Sequence, residues 1–408
     1  MPPVPRVSIH LPAPGTKRAI VIGAGSFGTA VAVLLARGGL RTTLQTRTRE
    51  QAQRLAEDRE NRIYLAGVEL PRELRIEHVV AGLARADYVF LGVPSVLLDD
   101  VVARLETAGL PPKAAVVSLA KGLVPPDGRP PTALLRTRFG AHRVGCVGGP
   151  AHAREMVSEG AALVAASTEE ALATAIAGVF IRAGVVCEES NDPIGVELAG
   201  AAKNAAALAS GATEAQGLNA AGAAAGHIFA EVWRWAEAQG ARPESMIGLA
   251  GTGDLVATAL APQSRSRRAG ELLALGVPAH EVPARVGQAV EALEFVPLLA
   301  KALAAAGLSA PVTTALARLI SGELPLEDWV AVVRTTVPPP ARWRPPAVPP
   351  GYWRRLRERI SARSARLQAR AHQMFTRAEA RGDTLGPNPI GRKETVDASD
   401  HRDGGPAE

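Results

Sequence analysis

Four stretches of this chain hold side chains that chemistry could use. Val117-Ser118-Leu119-Ala120-Lys121-Gly122 sets Lys121 just past an apolar, strand-like run, where sites form in open α/β sheets. Glu197-Leu198-Ala199-Gly200-Ala201-Ala202-Lys203-Asn204 sets Lys203 in an otherwise small and apolar helical run. Such a lysine either snorkels from an exposed face or, if buried, is pushed towards its neutral form and can exchange a proton. Gly251-Thr252-Gly253-Asp254, followed by Thr258 and by Ser264-Arg265-Ser266-Arg267-Arg268, joins a carboxylate to a cationic, hydroxyl-rich turn. A guanidinium fork there suits a phosphate dianion, whereas an aspartate more often caps or pairs structurally. Finally, Gly23-Ala24-Gly25-Ser26-Phe27-Gly28 is a GxGxxG placed after a strand-like run and opening a helix. Gly23 permits the tight turn, Gly25 lets the backbone approach a pyrophosphate, and Gly28 allows close helix–strand packing. The free amides of Ser26, Phe27 and their neighbours at the helix N-terminus would face the phosphates. An ordinary glycine-rich turn is the bland alternative.

The elements that would position these groups follow from periodicity. Ala19-Ile22, Thr42-Gln45, Tyr88-Val93, Ala115-Leu119 and Val144-Val147 read as strands separated by helical patterns. That alternation predicts a Rossmann domain over residues 17–191, with a doubly wound, mostly parallel sheet. At Asp192-Pro193 a capping carboxylate and a first-turn proline mark a helix start, and the Ala- and Leu-rich stretch that follows predicts an all-α domain over 192–336. The second strand ends Leu44-Gln45-Thr46-Arg47-Thr48-Arg49 with no acid before Glu50. A NAD-preferring site usually places a carboxylate there. Arg47 or Arg49 could instead meet a 2′-phosphate, or both are solvated surface residues; the reading leans to NADPH without excluding NADH.

Composition narrows the classes. The net charge of +6 comes wholly from Val337 onward, which leaves residues 1–336 with 32 charges of each sign. A polyanion partner is therefore not needed to explain it, and no nucleic acid is expected. Cys146 and Cys187 cannot build a disulfide framework, and a reducing compartment is the simpler setting. The uncharged stretch Ala19–Ala36 has nearly the length of a membrane span, yet Gly23, Gly25 and Gly28 break it into strand, turn and helix. His142 and His152 have no partner at metal-ligand spacing, and no metal is expected. Residues 1–16 read as a disordered start and 337–352 as a stiff, Pro-rich linker. Residues 353–381, with nine arginines, two glutamates and an apolar stripe from Trp353 to Ala378, read as a basic amphipathic helix. Such a helix can make weak contact with an anionic membrane surface or remain solvated. Residues 382–408 read as a disordered tail.

With these residues in view, the chain from about Arg18 to Val333 resembles the NAD(P)-dependent glycerol-3-phosphate dehydrogenases. The segments that carry the resemblance are GAGSFGTA at 23–30, NRIYL at 61–65, VPS at 93–95, AKGL at 120–123, GGP at 148–150 and ARE at 153–155. GVELAGAAKN at 195–204, GTGDLVAT at 251–258 and QSRSRR at 263–268 complete the series. The resemblance implies a cytoplasmic oxidoreductase interconverting dihydroxyacetone phosphate and sn-glycerol 3-phosphate with NADPH or NADH, supplying phospholipid synthesis, and a homodimer is expected. It implies Lys203 as the catalytic acid/base, with Lys121 and Asp254 beside it. Lys121, Gly149, Asn204, Asp254, Thr258, Ser264, Arg265 and Ser266 would surround the small phosphorylated substrate. Gly23, Gly25, Ser26, Phe27, Gly28, Arg47, Lys121, Ala153, Arg265 and Glu291 would meet the cofactor.

Several positions depart from the family pattern. Ala151 replaces a hydroxyl residue, Ser266 an asparagine and Ala292 a glycine, while Ala221 and His227 stand where arginines are usual. One lost neutral hydrogen bond costs about 0.5–1.5 kcal/mol, which an enzyme tolerates. Two other readings remain: a dehydrogenase of another small hydroxy acid on the same fold, and a non-catalytic nucleotide-binding scaffold.

Overall fold

The computed structural model describes residues 17–78, 83–261 and 263–337. The sheet begins with β1 (Arg18–Ile22), in which Ala19 to Ile22 are all buried, as a strand covered on both faces must be. The chain turns at the glycines into α1 (Ser26–Arg37), then runs through β2 (Arg41–Gln45) and α2 (Arg49–Asp58). A small antiparallel hairpin follows, β3 (Glu60–Asn61) and β4 (Leu65–Glu69), and then β5 (Arg75–Glu77). The sheet continues with β6 (Tyr88–Leu91), β7 (Ala115–Ser118), β8 (Val144–Gly148), β9 (Ala162–Ser167) and β10 (Val186–Ser190). Between them come α3 (Leu98–Ala108), α4 (Pro131–Phe139), α5 (Ala153–Ser158) and α6 (Glu170–Arg182).

Strand order in the eight-stranded sheet is β10-β9-β8-β7-β6-β1-β2-β5, with only the β8–β9 pair antiparallel. Each of the five expected strands is present. β5, β9, β10 and the hairpin were not anticipated. β5 is a three-residue charged edge strand, and β9 (Ala-Leu-Val-Ala-Ala-Ser) reads locally like helix and becomes a strand through burial between neighbours. One face of the sheet packs on α1, α5 and α6, the other on α3 and α4.

The expected change of architecture falls at α7 (Pro193–Thr213). Asp192 caps it, accepting from the Gly195 amide at 2.8 Å, and it also accepts from Arg242 N and Ser245 Oγ, both at 2.7 Å. α7 is buried along almost its whole length. Around it lie α8 (Leu218–Ala238), α9 (Pro243–Ile247), α10 (Asp254–Leu260), α11 (Arg265–Ala274), α12 (Val282–Val286), α13 (Glu291–Ala305), α14 (Pro311–Ser321) and α15 (Leu326–Thr335). Their core includes Cys146 of β8 and Val164 of β9, so the helical part is packed onto the sheet. The sheet-based N-terminal part and the helical C-terminal part are thus packed together within one compact unit. The segments 1–16, 353–381 and 382–408, and all but the first residue of 337–352, lie outside the described residues. No helix among the described residues is long and apolar enough to cross a membrane.

Candidate active site

The strands β1, β6, β7 and β8 deliver their C-terminal ends to one edge of the sheet. At β1 the turn has little spare room. A Cβ on Gly23, whose φ is +108°, would sit 2.3 Å from Gly92 O, and one on Gly28 would sit 2.0 Å from Gly23 O. Gly25 differs, because a Cβ there would meet nothing within 4 Å. Two glycines thus close the turn onto the sheet while the middle one leaves open space above the start of α1, as a pyrophosphate cradle requires. Asn61, buried in the hairpin, pins the turn by donating to Ala24 O at 3.0 Å and Thr29 Oγ1 at 2.8 Å.

Lys121 follows β7 and points across the cleft. Its Nζ donates to Gly149 O at 2.9 Å and to Asp254 Oδ2 at 2.7 Å, and lies 5.5 Å from the Phe27 ring centroid. Lys203, on α7, is 8% exposed, so its reading as a snorkelling surface lysine is set aside. Its Nζ donates to Thr258 Oγ1 at 3.0 Å and is 3.3 Å from Asp254 Oδ1. Asp254, at the start of α10, therefore holds one amine on each carboxylate oxygen. A five-residue π turn, Leu249–Gly253, aims it. Asn204 donates to Lys121 O at 3.3 Å and ties α7 to the β7 loop.

Electrostatics follow from this packing. Burial lowers the Lys203 pKa to about 8, with Asp254 opposing the shift and Lys121 and Arg265 reinforcing it. Burial alone would raise the Asp254 carboxyl, but the ammonium groups of Lys121 and Lys203 hold it below the usual carboxylate range. Burial raises Glu291, against the pull of Arg265. An ammonium has three donors; two on Lys203 are committed to protein oxygens, and the third is free for a ligand.

Lys121, Lys203, Asn204 and Thr258 line a cavity of about 1100 Å³ with Ser26, Phe27, Ala153, Ser264, Arg265, Ser266 and Glu291. Ser264 caps α11, accepting from Arg267 N at 3.3 Å. Arg265, the first residue of α11, is exposed and donates to Ala289 O at 3.1 Å. Gly149 and Asp254 reach the cavity through the amine they hold. Arg47 does not line it: the residue is exposed beyond β2, with its amide 3.3 Å from Gln51 Oε1. Arg49 lines a separate cavity of about 460 Å³ with Glu77 and His78.

The hairpin residues Ile63 to Val68 and Arg154 also wall the large cavity; the segments NRIYL and ARE include some of them, but nothing in their residue types assigned them a place in the site. Ile63-Tyr64-Leu65-Ala66-Gly67-Val68 is a short, mostly apolar run with no charged side chain to point to a site. His152 Nε2 lies 3.3 Å from Ala257 O and bridges the cleft. Ala151 also lines the cavity. Among the described residues no group of His, Cys, Asp and Glu could hold a metal ion, and both cysteines are free and buried.

Comparison with known proteins bears on this arrangement. A family described as NAD-dependent glycerol-3-phosphate dehydrogenase N-terminus matches residues 18–173, and its C-terminus counterpart matches 192–331. The chain is 40% identical over 308 residues to the glycerol-3-phosphate dehydrogenase [NAD(P)+] of Deinococcus radiodurans, covering 74% of this chain and 90% of that one. It is 36% identical over 315 residues to the like-named protein of Methylibium petroleiphilum, covering 75% and 93%. Among solved structures, glycerol-3-phosphate dehydrogenase from Coxiella burnetii superimposes with a TM-score of 0.74 at 27% identity, over 79% of this chain and 99% of that one. A ketopantoate reductase from Ralstonia eutropha, at 21% identity and a TM-score of 0.51, shares the fold alone.

Proposed function

This chain belongs to the NAD-dependent glycerol-3-phosphate dehydrogenase family, and from that footing we propose how its own residues carry the interconversion of dihydroxyacetone phosphate and sn-glycerol 3-phosphate. The observation that carries the reading is the Lys121–Asp254–Lys203 array at the open edge of the sheet. When bound, the nicotinamide of NADH or NADPH supplies the hydride for reduction of the ketone carbon and takes it back in the reverse direction. Lys203 gives its free proton to the ketone oxygen, and in the reverse direction its neutral amine takes the hydroxyl proton. With a pKa near 8, it exchanges that proton at neutral pH far more readily than an ordinary lysine would.

Asp254 stays ionised and acts only as an acceptor, fixing both amines. Lys121 adds positive charge and orients on Gly149. Arg265, with the free amides at the start of α11, faces the substrate phosphate, and Ser264, Ser266 and Asn204 complete the polar lining. Gly25, Ser26 and Phe27 would hold the cofactor pyrophosphate, and Ala153 and Glu291 on the cavity wall would flank it. Arg47, exposed just past β2 and outside the lining of that cavity, would be the residue to meet a 2′-phosphate at the adenosine end, and its charge would then favour NADPH.

The chemistry of the lining argues against another small hydroxy acid, because two lysines and an arginine suit a phosphate dianion. A nucleotide-bound scaffold would gain nothing from a buried, bonded Lys203. We further propose that the protein is cytoplasmic, since two buried free thiols suit a reducing compartment, and that it is a homodimer.

The test is a spectrophotometric assay with dihydroxyacetone phosphate and each reduced cofactor, beside a Lys203→Ala variant. Turnover should fall about 10²–10⁴-fold in the variant while nucleotide binding persists. Equal turnover in the two proteins would remove the mechanism. A strong preference of the parent for NADH would remove the role given to Arg47.

A further inference from the structure

α7 meets the sheet along one face. Glu197, Gly200, Ala201 and Asn204 recur three, four and seven residues apart, so they share that face. Asn204 bonds the Lys121 carbonyl, and a Cβ on Gly200 would lie 3.4 Å from Lys121 Cγ. Lys203 lies one residue round the helix, towards Thr258 and Asp254.

Two turns before Asn204 the same face carries Glu197, 4% exposed. Both its carboxyl oxygens accept from Thr132 N at 3.0 Å, and Oε2 also accepts from Thr132 Oγ1 at 2.6 Å. Thr132 stands in the first turn of α4. The hydroxyl of Ser118, at the end of β7, faces the same carboxyl. Lys121 lies three residues further along from Ser118.

We propose that Glu197 is a positioning residue for the reaction: its bonds to Thr132, with the Ser118 hydroxyl facing the same carboxyl, fix the rotation of α7 against α4 and β7, and so set Lys203 in register with Lys121. Three linked observations support this. The anchor is polar and fully partnered inside a face otherwise made of small residues, and small residues alone do not fix a rotation. The anchor and the Asn204 bond bracket Gly200, where the Lys121 stem lies against the helix. Burial pushes the Glu197 carboxyl up to about 8, against the pull of the Thr132 bonds, so at neutral pH it acts as a largely uncharged clamp and adds no field that competes with Asp254.

The inference rests on the dehydrogenase reading, and one experiment separates the two. Steady-state kinetics with dihydroxyacetone phosphate and reduced cofactor are measured across pH for the parent chain, Glu197→Ala, Glu197→Gln and Thr132→Val, with Tm and circular dichroism for each. An inactive parent defeats the functional reading itself. With an active parent, Glu197→Ala should lower kcat about 10–100-fold through misplacement of the amine. Its cofactor KM should change by less than about threefold, and the alkaline limb of its reduction profile should move. Glu197→Gln, which keeps the acceptor, should restore kcat to within about threefold. Thr132→Val should lose about three- to tenfold in kcat with an unchanged circular dichroism spectrum, and it carries the test if Glu197→Ala does not fold. A merely structural role lowers Tm and leaves kcat and the pH limb where they were. That result in Glu197→Ala, or an unchanged kcat in Thr132→Val, overturns the proposal.

Discussion

A buried lysine is useful to a reaction only if something keeps it charged part of the time, and here that something is Asp254. Burial drives Lys203 towards the neutral form, and the carboxylate opposes it, leaving the amine at about 8. With Lys203 as the proposed acid, reduction needs the ammonium, so its kcat/KM should decline as pH rises through about 8, while oxidation should gain over the same interval. Asp254→Asn removes the opposing charge, so the Lys203 pKa falls further. The reduction limb should then move to lower pH, and turnover at pH 7 should drop. A pH profile of the Asn variant superimposable on the parent's would refute this account. Lys121, Lys203 and Asp254 could be picked out of the sequence because each is a lone charge at a strand end, in an apolar helix, or beside a glycine turn. Glu197 could not. It is one acid among many, and its partner Thr132 is 65 positions away, a contact that only the packing of α4 on α7 creates.

At the scale of elements, the site depends on helices that approach more closely than ordinary side chains permit. α11 crosses α7 at Gly211 and Gly270. A Cβ on Gly270 would lie 2.0 Å from Leu208 O and 2.6 Å from Ala212 N, and one on Gly211 would lie 2.0 Å from Arg267 O. These neighbours are backbone atoms, so no rotamer change relieves the clash. Gly270→Ala should therefore separate the two helices and cost about 1–3 kcal/mol of stability. Because α11 begins with Arg265, the substrate KM should rise more than the cofactor KM. Chemical denaturation together with the two Michaelis constants would check both effects; an unchanged denaturation midpoint would mean that the helices are not held by this contact. Of the elements themselves, the β-branched central strands and the capped start of α7 were legible because local preference and tertiary demand agree there. β9 was not, since an alanine-rich run becomes a strand only when its neighbours supply the ladder.

Across the whole molecule, charge and chemistry are separately placed. Residues 1–336 carry 32 charges of each sign, yet Lys121 and Lys203 close on Asp254 in the cleft, with Arg265 lining the same cavity. The field that draws a phosphate dianion is thus local, set by which strand ends and helix starts meet, and owes nothing to net charge. The basic surplus lies beyond that unit, from Val337 onward. It follows that a chain ending at Val337, which keeps α15 whole, should retain kcat and both Michaelis constants within about twofold. If residues 353–381 contact anionic membranes, cosedimentation with anionic vesicles should disappear in the shortened chain, and added salt should abolish it in the full one. A large loss of turnover on shortening would show instead that the cleft is completed from beyond Val337, and that the charge balance of the first 336 residues does not mark out a self-sufficient enzyme.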